Sequence, residues 1–230
     1  MVPGGPGVRR VVRVPPHRLS DRLADLPYAS SLSRHQGDLV PDEDYEGVHF
    51  DGLDLDAPRA GGSRFMECAF TQVTIQDGRL RRARFNDVWL HGVRLTAIEL
   101  TESNWIDATI IGSVAAGVIA HGSRLRQVTF RGCKLHGVNF RAATLTEVTF
   151  EDCTLREVDF GGATLRRCRF PGSQLHETDF SQATLDQVDL RGAELGIIIT
   201  PGALKGATIT AAQLAELAPL LAEHAGITVE

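Results

Sequence analysis

The groups with the most reactive chemistry in this sequence are four cysteines and eight histidines. Cys68, Cys133, Cys153 and Cys168 bring thiols suited to redox exchange or to a soft metal, but no CxxC pair is present to grip zinc. The histidines (His17, His35, His49, His91, His121, His136, His176, His224) are scattered without ligand spacing. Nucleophilic catalysis needs a nucleophile, a base and an orienting group in a concave site, and the chain contains no GxSxG, no HExxH and no Gly-rich phosphate loop opening a helix. The expectation is a non-enzymatic protein with no catalytic, cofactor-binding or metal residue, its cysteines serving as small buried apolar groups. Charge does not name a partner either: 24 Lys+Arg stand against 29 Asp+Glu, a net of −5.

What positions these residues is a ruler of five. All ten phenylalanines, from Phe50 to Phe180, carry numbers divisible by five. Of the 27 such positions between 65 and 195, 25 hold Phe, Leu, Ile or Trp, the exceptions being Ala115 and Ala120. Two residues before each centre the side chain is small or β-branched, as at Cys68, Val73, Ala83 and Val88. No amphipathic helix repeats every five residues, and a flat strand repeats every two. A short extended piece followed by a corner does, and four corners return the chain above its start, making a coil of twenty residues. Phe130, Phe150 and Phe170 then stack on one face, with Phe140, Phe160 and Phe180 opposite, and leucines fill the other two faces. The position two after the centre is rich in Gly and Asp, types that suit a positive-φ corner. All four cysteines fall at the small inward position. His136 and His176 share a face but lie two coils, roughly 10 Å, apart, too far to share a metal ion.

The run ATLTE-VTFED-CTLRE-VDFGG-ATLRR-CRFPG-SQLHE-TDFSQ-ATLDQ-VDLRG resembles the pentapeptide-repeat family, whose pattern is A(D/N)LXX. The resemblance covers about 63–200, with weaker copies at YEGVHF and DGLDL. It implies an all-β solenoid, a right-handed quadrilateral β-helix, here followed by a short C-terminal α-helical cap. It also implies a role in binding macromolecules, because some members bind DNA gyrase or a related type II topoisomerase as a DNA-like rod and so protect it from poisons.

The expected organisation is a flexible arm over 1–40, a β-helix over 41–200 with an interruption at 56–62 around Pro58, and a helical cap or dimerisation segment over 201–230. Seven acids without a base lie between Pro41 and Asp56, and Asp42, Glu43, Asp44 and Glu46 are candidate partner contacts. At 106–122 the centres shrink to Ala115 and Ala120 while Ile106, Ile111, Val114 and Ile119 point outward. Either a local slip or a tightly packed bend buries them, which is the favoured expectation, or Ile106, Ile111 and Ile119 form an exposed apolar belt that, with Trp89, meets a partner. In the tail, Thr210 and Gln213 form a T-x-x-Q capping box, Leu214, Leu217 and Leu221 make one stripe beside Leu220, and Pro219 should kink or divide the helix. This tail is similar to the C-terminal helix of actinobacterial pentapeptide-repeat proteins, which implies a homodimer.

Whole-surface DNA mimicry is opposed by charge. Residues 63–200 carry 16 Lys+Arg and 16 Asp+Glu, whereas a duplex of equal length carries on the order of 20 charges. Arg79, Arg81, Arg82 and Arg84 even form a basic cluster, although no sustained basic stripe with stacking aromatics suggests direct nucleic-acid binding. The reading is therefore a scaffold for a protein partner, with DNA gyrase or topoisomerase IV protection by a local mimic at 42–56 as the alternative. No apolar run long enough to span a membrane and no signal-peptide pattern is present, so the expected location is the cytoplasm.

Overall fold

A computed structural model describes residues 20–198, 200 and 202–228. They form a parallel β-solenoid of about 8 turns with one C-terminal helix, a right-handed pentapeptide-repeat β-helix. Each five-residue unit places its centre and the small residue two before it inside, and lays the residues flanking the centre along a wall. The next residue turns the corner. Every position whose number ends in 2 or 7, from Asp42 to Gly192, has φ between +47° and +82°. That left-handed corner is costly for most side chains, yet Arg82, Glu102 and Gln127 occupy it as Gly92 does. The coil-to-coil ladder holds them there. Asn104–Ile111, for example, pairs in parallel with Arg124–Arg131, each residue with the one twenty further on.

The interior is a set of ladders. Tyr45, Phe65, Phe85 and Trp105 stack at centroid spacings of 5.0, 4.9 and 3.8 Å. Phe130–Phe150–Phe170 follow at 4.8 and 4.9 Å, and Phe140–Phe160–Phe180 at 5.4 and 5.1 Å. Apart from the tighter Phe85–Trp105 pair, these spacings are close to the separation of neighbouring strands, so the ring stack and the hydrogen-bond ladder share one repeat.

The solenoid runs without interruption through 56–62, contrary to the sequence expectation. Ala57 turns the corner with φ +47°, Pro58 and Ala60 are buried, and Arg59 bridges Arg79. Proline is harmless there because its carbonyl accepts from the Arg79 N–H at 2.8 Å. The equivalent N–H groups of Gly78, Ile98 and Val118 make no bond between coils among the described residues, so the donor that Pro58 lacks is one the ladder does not use.

The favoured slip at 106–122 is also absent. Gly112, Gly117 and Gly122 keep the corner geometry, and Leu95–Ala115–Leu135 stand in one register. Small residues at two centres leave an apolar cavity of about 70 Å³, lined among others by Leu95, Trp105, Ala115, Ala120, Leu125 and Phe140.

The flexible arm expected over 1–40 is corrected for residues 20–40; residues 1–19 lie outside the described residues. Ser33–Arg34 pairs with Val48–His49, Leu39 is buried against the first coil, and the Tyr45 hydroxyl accepts from the Val40 N–H at 2.8 Å. Upstream, two short 3-10 turns (Leu23–Asp25, Ala29–Ser31) carry Tyr28 into a buried position. At the other end, Ala211–His224 is one helix and Pro219 does not divide it. Pro219 and Ala215 both face solvent, so water can serve the carbonyl that proline leaves unbonded.

Candidate partner-binding surfaces

Corners and walls fix where every outward side chain stands, and they separate the residues singled out from sequence into four places. Trp89 lies beneath the N-terminal strap and is not a free contact. It is 4% exposed, its indole N–H donates to the Ser20 carbonyl at 2.9 Å, and its ring stacks on His91. Arg131 ties the strap further along by pairing with Asp21 while also holding Glu151 at 2.7 Å; Glu151 and then Asp21 raise its pKa. Burial, aided by Asp87, pushes the Tyr28 hydroxyl up, so it stays neutral. One signal of this cover was present in the sequence: Ala69 and Trp89 are apolar at a wall position where most units carry a polar residue.

Of the three isoleucines expected in a mid-rod belt, only Ile119 is exposed. Ile119 is 47% and Val114 36% exposed, while Ile106 and Ile111 are half-buried. The belt is one coil high, since Val114 pairs with Arg94 below and Lys134 above, and Ile119 bridges Glu99 and Asn139.

Asp42, Glu43, Asp44 and Glu46 are all exposed on the first coil. The structure adds arginine neighbours that linear order concealed. Asp44 stands directly below Arg64 in the ladder and pairs with it at 3.6 Å, and Asp42 borders a depression walled by Arg59, Arg64, Arg79 and Arg82. Asp51, further along, pairs with Arg34 at 3.1 Å.

The four leucines of the C-terminal helix do not share one role. Leu217 is buried and Leu221 packs partly against the core, whereas Leu214 and Leu220 are exposed. The expected stripe of Leu214, Leu217 and Leu221 is thus broken, because the helix sits on the last coil through a single line of contact. Gln213 does more than its capping box. Its Oε1 accepts from the Thr210 N–H at 2.8 Å, while its Nε2 donates to the Leu190 and Ala193 carbonyls at 2.8 and 2.7 Å, closing acceptors that a next coil would have taken. Ile198 and Leu220, with Ile197, Glu223 and His224, line an open groove of about 480 Å³.

The cysteines are buried free thiols. Burial pushes both Cys68 and Cys168 up to about 11. Hydrogen bonding with Cys133, and then burial, push the Cys153 thiol far above its ordinary range; the Cys133 N–H points at the Cys153 sulfur at 3.4 Å. Such protonated thiols are poor nucleophiles and poor ligands. On the surface, Arg191 holds Asp189 below the usual carboxylate range through bonds of 2.8 and 2.7 Å. Among the described residues no helix is long and apolar enough to cross a membrane.

Residues 121–180 match the family model described as "Pentapeptide repeat region". Over that segment the chain matches the pentapeptide-repeat family, and its solenoid has the pentapeptide-repeat architecture. No curated protein matches it in sequence. Solved structures similar to this solenoid include HetL, a pentapeptide repeat protein involved in heterocyst differentiation regulation in the cyanobacterium Nostoc. The identity is 17%, covering 74% of this chain and 90% of that one, with a TM-score of 0.43. A trypsin-treated form of QnrB1, a plasmid-mediated fluoroquinolone resistance protein, is 19% identical, covering 87% and 100% of the two chains, with a TM-score of 0.49. A pentapeptide repeat protein of the cyanobacterium Cyanothece 51142 is 12% identical over 68% and 91%, with a TM-score of 0.28.

Proposed function

We propose that this pentapeptide-repeat solenoid is a non-catalytic, cytoplasmic scaffold that binds another protein and pairs with a second copy of itself through its C-terminal helix. The observation that carries the reading is the distribution of exposed large apolar side chains. Val114 and Ile119 stand out on the middle coil, and Ile198, Leu214, Leu220 and Ile227 cluster on the C-terminal segment. Val40 and Met66 are exposed as well, at the N-terminal end; a rigid rod with apolar side chains at its middle and at its C-terminal end has one place suited to a partner and one suited to itself.

The test has two arms. Light scattering on the purified chain should give a dimer mass that falls to the monomer with Leu220→Asp, a change at an exposed site that leaves the ladder intact. Affinity capture from the native host should recover a protein that the Val114→Asp/Ile119→Asp variant does not recover. A monomer throughout, together with identical capture by both proteins, would sink the reading.

A second reading, binding of DNA gyrase or topoisomerase IV by local DNA mimicry, is favoured by the exposed acids Asp42, Glu43 and Glu46, none of which forms an ion pair among the described residues. It is weakened by the arginines beside them. A supercoiling assay with and without a topoisomerase poison decides it. Protection that disappears when Asp42, Glu43 and Glu46 are replaced by their amides supports mimicry, and no effect on the host enzyme removes it.

A further inference from the structure

Basic charge is concentrated at one place on the rod. Arg59, Arg64, Arg79, Arg81, Arg82 and Arg84 come from two successive coils and wrap one corner of the rod. Arg59 bridges Arg79, and Arg64 pairs in register with Arg84, so like charges are stacked at strand spacing, ~4.8 Å between their backbones. Two are matched, Arg64 by Asp44 at 3.6 Å and Arg81 by Glu99 at 3.4 Å. Arg59, Arg79, Arg82 and Arg84 form no ion pair among the described residues. The corner of the lower row is Gly61–Gly62; the Asp42 carboxylate occupies the place a Gly62 side chain would take, and the space beside Gly61 is part of a depression of about 600 Å³ with arginine walls.

We propose that this depression is a binding site for a compact oligophosphate anion, the chemistry shared by inorganic triphosphate and the phosphate chain of a nucleotide. Guanidinium groups bind phosphate oxygens through paired N–H donors and stay charged at all physiological pH values. The ligand must concentrate its charge, because the patch is two coils high and is closed by carboxylates on either side: Asp42 and Asp44 below, Glu99 and Glu102 above. Those carboxylates repel a long polyanion lying along the rod, which disfavours a duplex, and an extended acidic peptide spreads its charge beyond the arginines. Binding also relieves repulsion between stacked guanidinium groups, so ligand should raise thermal stability.

The experiment is calorimetric titration of the full chain with sodium triphosphate at about 0.1 M salt, where surface fields are screened beyond about 10 Å. The expected result is a saturable isotherm with one ligand per chain and a raised melting temperature. Arg79→Ala with Arg84→Ala should weaken it about tenfold or more, while Arg156→Ala, on another wall, should leave it unchanged. Gly61→Glu keeps every arginine and plants a carboxylate in the notch. Its Cβ would meet the Arg81 carbonyl at 3.5 Å, an ordinary contact, so the coil should fold and binding should be lost. A non-saturating titration, or one unchanged in either variant, reduces the patch to a diffuse counterion surface and overturns the proposal. So does tighter binding of a hexaglutamate peptide or a short DNA duplex than of triphosphate.

Discussion

The coil from Ala143 to Gly162 and the coil from Ser103 to Gly122 have the same backbone and different interiors. In the first, Leu145, Phe150, Leu155 and Phe160 are wholly buried, and the two phenylalanines meet edge to face at 6.1 Å. In the second, Trp105, Ile110, Ala115 and Ala120 take the same four places and leave a cavity. The corners do not register the difference: Asp107, Gly112 and Gly117 have φ of 53°, 54° and 61°, and Glu147, Asp152 and Glu157 have 57°, 51° and 54°. Hydrogen bonds between coils fix the shape of this rod, and side-chain volume decides only how well it is filled. Trp105 illustrates the accommodation. Its ring continues the ladder above Phe85, and its indole N–H, which would be costly unpaired, donates to the Ser103 hydroxyl at 3.0 Å.

The largest expected effect breaks the well-filled coil. Phe150→Asp puts a carboxylate between Phe130 and Phe170, where no donor reaches it. Circular dichroism should show loss of β structure and of any cooperative melting transition. A folded variant would mean that the ladder register is wrong.

Next comes a test of whether the two ends of the rod behave as one interior. Cys68 lies in the first aromatic ladder and Cys168 in the last, and burial raises both from 9.0 to about 11. The fold favours the neutral thiol, so this stabilisation is whole below pH 9 and is lost as pH rises through about 11, on the order of 2 kcal/mol per thiol. Denaturant midpoints should fall over that window, and Cys68→Ala and Cys168→Ala should each flatten the fall by a similar amount. A response from one alone would show that the ends open independently.

How much of this was legible follows from the same contrast. The five-residue ruler, the inward cysteines and the stacking of Phe130, Phe150 and Phe170 could be read directly, because each unit repeats one local rule. Continuity through Pro58 and Ala115 could not, because a large apolar centre is a sign of register and not its cause, which is the backbone ladder. The strap was illegible for another reason: residues 20–40 have no period of their own and are placed by contacts with Trp89 and Arg131, far away in sequence. Likewise Arg59 and Arg64 join the later arginines only because twenty residues make one turn.

Trp89→Ala separates such an attachment from the ladder. It removes the indole that the Ser20 carbonyl and the strap cover, at a cost of about 2 kcal/mol in strap docking. Limited proteolysis near Leu23–Pro27 should accelerate while the melting of the solenoid changes little. If instead the whole rod melts earlier, the strap is part of the cooperative unit.

The smallest effect is the one that addresses the poorly filled coil itself. A residual cavity of about 70 Å³ costs on the order of 1.7 kcal/mol at the usual price per unit volume. Ala115 stands between Leu95 and Leu135 on one wall, so Ala115→Leu supplies the missing rung. It should stabilise the chain by about 1 kcal/mol, a rise of roughly 2–4 °C in Tm. The same kind of enlargement in the filled coil has nowhere to go: Ala143 is wholly buried at the small inward position, and Ala143→Leu should destabilise by about 1–3 kcal/mol. Opposite signs from the two variants would establish that one backbone carries two interiors of different packing quality. Equal signs would mean that the middle coil closes around its alanines in solution, and the exposure of Val114 and Ile119 would then have to be sought in that closed form.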